Sequence, residues 1–474
     1  MKKSCSFIIS CFCLYGCMLG PKGNIAEPEL PAQYSEETTV QLSVVDINKL
    51  WWKSFNDQLL DTLISTALDK NFDLLIAKEK VRELRASYRM ESGQLWPSIN
   101  AFGSAVRFKR TQNLFGLSIP GDTVQNLYIA GFDASWEIDF FGKIRSAKQA
   151  AYFNVLSSED NVQAIQVVVS AEVARIYTDI RSLQQRVYAL QQKIQIEKKL
   201  LKLTRDLFNS GLEDEISIED QKNELFKDQS ELPQLISQLK ENMYQLSYLI
   251  GMKSDELANL LQKREPIPVA DEKIPLGLPS DLLKNRPDIR AAEKNYYSAC
   301  AKIGQAKADL FPNISLTGAF ASITPNIGDL FSKNTKAWFL WPAIDWNLFQ
   351  GWQTMANIRV QNSKQKQALI SYQQTVSQAL RDVESALVSY AEERVSLQNL
   401  KLQLLSQKKV IDLNQNLLGS GLVEEKNVLQ SKKLFYAYQD SYYQSKERYM
   451  ADLIAVYKAL GGGWDKNQLL NQNK

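Results

Sequence analysis

From Lys143 to Leu207 the chain holds neither proline nor glycine, and an interruption-free run of that length has no place in a sheet or a small globular domain. Its apolar positions Val169, Val173, Ile176, Ile180, Leu183, Val187, Leu190 and Ile194 step by 4 and 3, which is a sustained heptad seam. Some 65 residues at roughly 1.5 Å each predict a coiled-coil helix of about 100 Å. A second such helix is predicted from about residue 352 to 417, with Val376, Leu380, Val383, Leu387 and Tyr390 in the same spacing. The returning helix, about 216 to 249, covers only half of its partner's seam. The first helix of the same copy has the length to cover the rest, so the expectation is a strut of one long helix beside two shorter ones stacked end to end. Only 21 Gly and 14 Pro in 474 residues fit this picture of few turns and long elements.

The two long helices belong to two copies of one plan. A shift of 215 residues carries Asp73 onto Asp288, Ala77 onto Ala292, Ala86 onto Ala301, Leu95 onto Leu310, Pro97 onto Pro312, Ile99 onto Ile314 and Gly103 onto Gly318. A shift of 210 carries Ser210-Gly211-Leu212 onto Ser420-Gly421-Leu422 and Gly251 onto Gly461. The chain reads as a tandem duplication. The predicted organisation is a signal peptide over 1–16, an N-terminal extension over 17–56, a first repeat over 57–262, a linker over 263–279 with Pro266, Pro268, Pro275 and Pro279, a second repeat over 280–463, and a tail over 464–474.

Each repeat is expected to run helix, two strands, long helix, tight turn, helix. The first helices, 57–95 and 280–310, stop before Trp96-Pro97 and Phe311-Pro312. Residues 97–109 and 125–137 then alternate with period two, as do 312–324 and 337–347. One face is apolar and one polar, and the lengths suit a tilted membrane strand. Phe102, Phe108, Tyr128, Phe132, Trp136, Phe320 and Trp338 are the candidates for a lipid-facing band; a soluble sheet with one wet face is the alternative. Loops 110–124 and 325–336 are expected to face away from the cell. Four strands cannot close into a barrel, and open edges are not viable in lipid. The chain is therefore expected to oligomerise, as a dimer with a filled interior or as a trimer with a water-filled bore.

Composition narrows the function. Lys+Arg 56 against Asp+Glu 53 gives a net charge of +3 without a basic run, so nucleic acid is not an expected partner. There is no histidine, which removes the commonest general base and zinc ligand; neither a metal site nor a cofactor is expected. Glu137 and Asp139 are the nearest thing to a two-carboxylate hydrolase pair, yet no cleft is expected around them. Cys5, Cys11, Cys13 and Cys17 crowd the N-terminus and only Cys300 lies in the body, so no disulfide framework is expected after processing. Lys2 and Lys3 before an apolar stretch from Cys5 to Tyr15 read as an export signal.

Leu14-Tyr15-Gly16-Cys17 resembles a bacterial lipobox, which implies lipidation of Cys17; an ordinary cleaved signal with incidental cysteines is the alternative. The run Leu278-Pro279-Ser280-Asp281-Leu282-Leu283-Lys284-Asn285-Arg286-Pro287-Asp288-Ile289-Arg290-Ala291-Ala292-Glu293 resembles the signature opening the second repeat of the TolC-like outer membrane factors, lipoprotein branch. Trp136-Glu137-Ile138-Asp139-Phe140-Phe141-Gly142 resembles their strand-to-helix junction. The resemblance covers nearly the whole mature chain. It implies a mainly α fold with β: a homotrimer with a 12-stranded barrel in outer membrane lipid and a 12-helix coiled-coil tunnel through the periplasm. It also implies docking to a periplasmic adaptor protein and an inner-membrane transporter.

By the same resemblance, Ser210, Gly211, Ser420 and Gly421 mark the periplasmic tips and contact the adaptor. Family members often close the tunnel with an aspartate three residues ahead of an arginine; the corresponding positions here are Asn414 and Leu417, with Asp412 and Leu413 beside them. That departure points to an apolar constriction at Leu413 or Leu417, against the plainer reading of ordinary coiled-coil seam. The functional expectation is a passive exit duct of a tripartite efflux pump. The alternatives are the outer membrane component of a protein secretion system and a structural coiled-coil lipoprotein.

Overall fold

The computed structural model describes residues 50–109, 124–270 and 278–464, with short pieces at 18–21, 23, 25, 30–34, 42–43, 113–114, 117–118 and 274–275. The signal segment, Cys17 and most of loop 110–124 lie outside the described residues, as does the tail beyond Trp464.

In chain order the elements are β1 (Leu42–Ser43), α1 (Gln58–Lys70), α2 (Phe72–Gly93), β2 (Ser98–Lys109), β3 (Asn113–Leu114), β4 (Leu117–Ser118), β5 (Val124–Ile138), α3 (Lys143–Asn209), α4 (Glu215–Ile250) and α5 (Ser254–Leu261). They continue with β6 (Ile274–Pro275), α6 (Leu282–Asn285), α7 (Pro287–Ala308), β7 (Asn313–Thr324), β8 (Lys336–Asp345), α8 (Gln353–Gly419) and α9 (Glu425–Ala459). Helices α3 and α8 are each 67 residues long, α2 and α7 each 22, β2 and β7 each 12.

The helix expected over 57–95 is broken at Asn71. Its side chain accepts from Leu74 N at 3.1 Å and donates to the Leu249 carbonyl at 2.9 Å, so it starts α2 and ties the break to α4 at once. Asp57 caps α1 by accepting from Leu59 N and Leu60 N at 2.9 and 3.1 Å. The helix expected over 280–310 is likewise divided at Arg286-Pro287, into α6 and α7.

The chain divides into two compact units that each draw on both repeats. One comprises Met1–Ala26, Lys80–Ser158 and Ala292–Tyr372 and holds the sheet β2-β5-β7-β8. The other comprises Glu27–Glu79, Glu159–Ala291 and Gln373–Lys474 and is helical apart from the short parallel pair β1-β6. In the helical unit Leu183, Leu190, Ile194 and Leu201 of α3 pack on Ile218, Leu225 and Leu235 of α4. Arg181, Gln184 and Gln185 of α3 donate to the carbonyls of Lys263, Leu261 and Glu265 at 2.7 to 2.8 Å, which fastens the start of the linker onto that helix. The signature at 285–290 acts here as a knot. Arg286 pairs with Asp288 at 2.6 Å and donates to the Ala459 carbonyl at 2.9 Å, while Arg290 pairs with Asp160 at 2.6 Å and lies over the Trp464 ring.

Candidate functional site: sheet faces, helix seam and turn tips

The sheet is antiparallel throughout, with β2 and β8 as its edges, unpaired among the described residues. No residue of β2, β5 or β8 is buried. A soluble antiparallel sheet covers one face; here only Ala321, Ser322 and Thr324, at the far end of β7, are buried, and the rest of both faces is left uncovered by the described residues. Register resolves the faces. Phe132 pairs with Phe320, and Phe320 with Trp338, so these three form one row. Tyr128 and Trp136 stand on the same face by the period of two, with Leu316, Leu340 and Ile344. Phe102 pairs with Gly131, which points the other way, and Phe108 follows Phe102. The seven aromatics expected on one lipid-facing surface therefore do not share a face: five stand on the apolar side, while Phe102 and Phe108 share theirs with Asn100, Asp133, Ser135 and Glu137. Asn100 and Asp133 bond across the strands at 3.1 Å.

Gly131 opposite Phe102 is a packing requirement. A Cβ there would lie 2.4 Å from the Phe320 carbonyl oxygen and 2.6 Å from Ala321 Cα.

Where strands become helices, both repeats use one device. Trp136 Nε1 donates to the Leu95 carbonyl at 3.0 Å, and Trp346 Nε1 to the Leu310 carbonyl at 3.1 Å. Each indole holds the carbonyl two residues ahead of the proline that stops the incoming helix. A cleft of about 480 Å³ opens at this junction, and Glu137, Asp139, Lys143, Asp309 and Asp345 are among its walls. A cleft thus does surround Glu137 and Asp139, contrary to the expectation. Asp139 is nevertheless committed, accepting from Ile144 N, Arg145 N and Arg145 Nε at 2.8 to 3.1 Å; it caps α3. Lys143 pairs with Asp309 at 2.8 Å.

The two helix turns are near copies. Gly211 and Gly421 take φ of +75° and +72°. Leu212 N donates to the Leu207 carbonyl and Leu422 N to the Leu417 carbonyl, each at 2.9 Å, which is the Schellman way of ending a helix. Ser210 and Ser420 turn their hydroxyls back to the carbonyls of Asp206 and Asn416, and Leu212 and Leu422 are 73% and 71% exposed. Close to the turns, ion pairs Glu213–Lys426 and Glu224–Lys433 link the two hairpins, and Arg186–Asp440 at 2.8 Å joins α3 to α9 farther along.

Of the candidate aperture residues, Asn414 donates its amide to Ser431 Oγ of α9 at 2.7 Å. Asp412, Leu413 and Leu417 are exposed. The two leucines end an exposed apolar stripe on α8 that includes Val388, Val395, Leu402, Leu405 and Val410. From 391 to 419 no residue of α8 is buried, whereas α3 buries Leu183, Leu190, Ile194, Leu200 and Leu201 over the matching stretch.

Sequence reasoning passed over the acids inside the helical unit. Glu197 stands between Ile194 and Leu201 in the α3 seam, fully buried, facing Asp228 of α4, which pairs with Lys193 at 2.6 Å. Burial first, and the Asp228 carboxylate second, push Glu197 up to about 7. Glu447 is likewise pushed up to about 7 by burial and by Asp179, whose carboxylate pairs with Arg175 at 2.8 Å. A charged residue at a seam step was the signal available for Glu197.

A family model described as outer membrane efflux protein matches residues 63–252 and 278–462. The chain is 26% identical over 470 residues to the cation efflux system protein CusC of Escherichia coli K12, covering 95% of this chain and 97% of CusC. It is 27% identical over 474 residues to the probable efflux pump outer membrane protein TtgC of Pseudomonas putida KT2440, covering 98% and 96%. Among solved structures, the outer-membrane channel OprN superposes with a TM-score of 0.86 at 26% identity, over 94% of this chain and 100% of that one. The Campylobacter jejuni CmeC outer membrane channel shares the fold with a TM-score of 0.85 at 21% identity, over 96% and 98%. With a match over most of its length in both repeats, the chain belongs to the outer membrane efflux protein family, the outer membrane factors of tripartite efflux systems.

Proposed function

We propose that three copies of this chain form the exit duct, each giving four strands to a 12-stranded barrel and its coiled helices to a 12-helix tunnel. The carrying observation is the sheet: among the described residues its two edges are unpaired and both faces are largely uncovered. Three such sheets joined edge to edge leave no free edge and enclose a wet bore. The face bearing Tyr128, Phe132, Trp136, Phe320 and Trp338 then meets lipid, and the face bearing Asn100, Asp133 and Glu137 lines the bore. The exposed stripe on α8 supports the same reading, because an apolar heptad stripe on a coiled helix is satisfied by a neighbouring helix.

In this reading the turns at Ser210-Gly211 and Ser420-Gly421 meet a periplasmic adaptor, an inner-membrane transporter loads the duct, and small molecules leave through it. Cys17 carries the lipid anchor. Leu413 and Leu417 narrow the periplasmic end. The duct does no chemistry of its own; the cleft carboxylate Asp139 serves as a helix cap.

The test is reconstitution. Purified protein in detergent should run as a trimer that heat converts to a faster or slower monomer, and should give discrete conductance steps in a planar bilayer. A single copy, monodisperse without detergent and forming no pore, overturns the proposal.

A further inference from the structure

The face that carries Phe132, Phe320 and Trp338 is uncharged along most of its height. The strand register assigns to it the odd-numbered residues of β2 and the even-numbered residues of β5, β7 and β8. Only Arg107, Lys109 and Lys336 in that set carry a charge. All are cations, all are exposed, and all stand at one end of the sheet. It is the end away from the helices, where β2 finishes and β8 begins. At the opposite end the same face closes with Ile99, Ile138, Ile314 and Ile344. The acids of the strands, Asp133, Glu137 and Asp345, stand on the other face.

The loop between β7 and β8 adds to the cationic end. The Thr335 hydroxyl donates to the carbonyls of Asp329 and Ser332 at 3.1 and 3.0 Å, so the Ser322 hydroxyl, 2.7 Å away, donates to Thr335. Ser322 shares the face of Phe320 by the period of two, and it is buried, as is Thr324. Residues 329–335 are therefore fastened over the outward end of that face. They bring Lys333, exposed and three residues from Lys336, and Phe331, which is 84% exposed. Asp329 is the one acid of the loop, and the Asn326 amide donates to its carboxylate at 3.5 Å.

A charge on a lipid-facing strand is costly at mid-bilayer and tolerated near either interface. Tolerance alone would leave both signs at both ends; one sign at one end calls for an anion there. Joining the sheets edge to edge sets the outward end of β8 in one copy beside that of β2 in the next, so Lys333 and Lys336 meet Arg107 and Lys109 at each joint. We propose that these four side chains form a cationic collar that binds the phosphate groups of outer-leaflet lipids, with one site at every joint between copies. The guanidinium offers a bidentate fork and the ammonium groups offer point charges, while Phe331 lies at headgroup level as belt aromatics do. The collar rests on the reading that three copies close a barrel with the Phe320 face in lipid.

The test uses the full-length protein, purified as the trimer in a neutral detergent and titrated with a bisphosphorylated glycolipid or with its dephosphorylated form. Native mass spectrometry reads the bound lipid. The phosphorylated form should bind about tenfold tighter, the worth of a single charge-assisted hydrogen bond. Arg107→Gln, Lys109→Gln, Lys333→Gln and Lys336→Gln together should abolish that preference and leave the dephosphorylated form bound as before. Equal binding of the two lipids by the native protein overturns the collar, and so does a folded fourfold variant that keeps the preference. Should that variant fail to assemble, Lys333→Gln with Lys336→Gln carries the comparison, and an undiminished preference there overturns the collar. Displacement of the lipid by inorganic phosphate at equal concentration would mark a site for a free anion and overturn the lipid assignment. Conductance separates the two layers. A native trimer that conducts yet ignores the phosphates overturns the collar and leaves the duct standing, whereas a native protein without trimer or pore overturns the duct and the collar with it.

Discussion

Glu197 shows what one residue inside the seam can do. Its folded pKa, pushed up to about 7 by burial and Asp228, lies above the ordinary carboxyl value. The native chain therefore keeps a proton that the unfolded chain releases, and the stability this supplies is present at low pH and lost as pH rises from about 4.5 to 7. Glu447 acts with the same sign. Thermal melts of Glu197→Gln should be flatter between pH 5 and pH 8 than those of the native protein, with a higher midpoint at pH 8. A variant that melts lower at both pH values would show that the carboxyl is held by contacts worth more than its burial costs. The tip glycines give a second residue-scale outcome. Nothing lies within 4 Å of a Cβ at Gly211 or Gly421, so alanine meets only the backbone cost of left-handed φ, about 1 kcal/mol each. Gly211→Ala should lower the midpoint by a few degrees and leave the assembly state unchanged.

At the scale of elements, the sheet makes the sharpest prediction. Gly131→Val brings side-chain atoms onto the Phe320 carbonyl and should prevent β5 and β7 from pairing, so that the protein fails to insert, while Gly103→Ala, whose Cβ would meet only the Ile129 carbonyl oxygen at 4.0 Å, should insert normally. Urea extraction of membranes separates the two outcomes. Leu417→Ser should raise single-channel conductance if the exposed leucines narrow the bore, and unchanged conductance removes Leu417 from that role.

The elements themselves were largely legible. Helix length followed from the absence of proline and glycine, and strand position from alternation after Pro97 and Pro312. The faces were not legible, because period two orders the side chains within a strand but leaves open which rows of paired strands coincide. Phe102 joined the row of Gly131 through the pairing of β2 with β5, which alternation within either strand does not specify. The break at Asn71 was missed although asparagine is a capping residue, because its deciding partner, the Leu249 carbonyl, is 178 residues away. The cleft around Glu137 and Asp139 escaped for the same reason: its far wall, Asp309 and Asp345, comes from the second repeat.

At the scale of the whole molecule, assembly and folding are separable. Leu402→Asp together with Val395→Asp charges the exposed stripe of α8 without touching a buried residue. The single chain should fold with unaltered helix content by circular dichroism while trimers disappear from detergent sizing. Loss of helix content along with the trimer would mean that the chain folds only as an assembly. The outer membrane function was legible from the repeats, the strands and the signature at 278–293 together.

The unequal burial of α3 and α8 divides labour between two sister segments. One descendant keeps the protomer's interior dry; the other is left to speak to its neighbours. Amide exchange should therefore be slow along 181–201 even in an isolated subunit, and should slow along 391–411 only once subunits have met, which would make the second helix a built-in reporter of assembly.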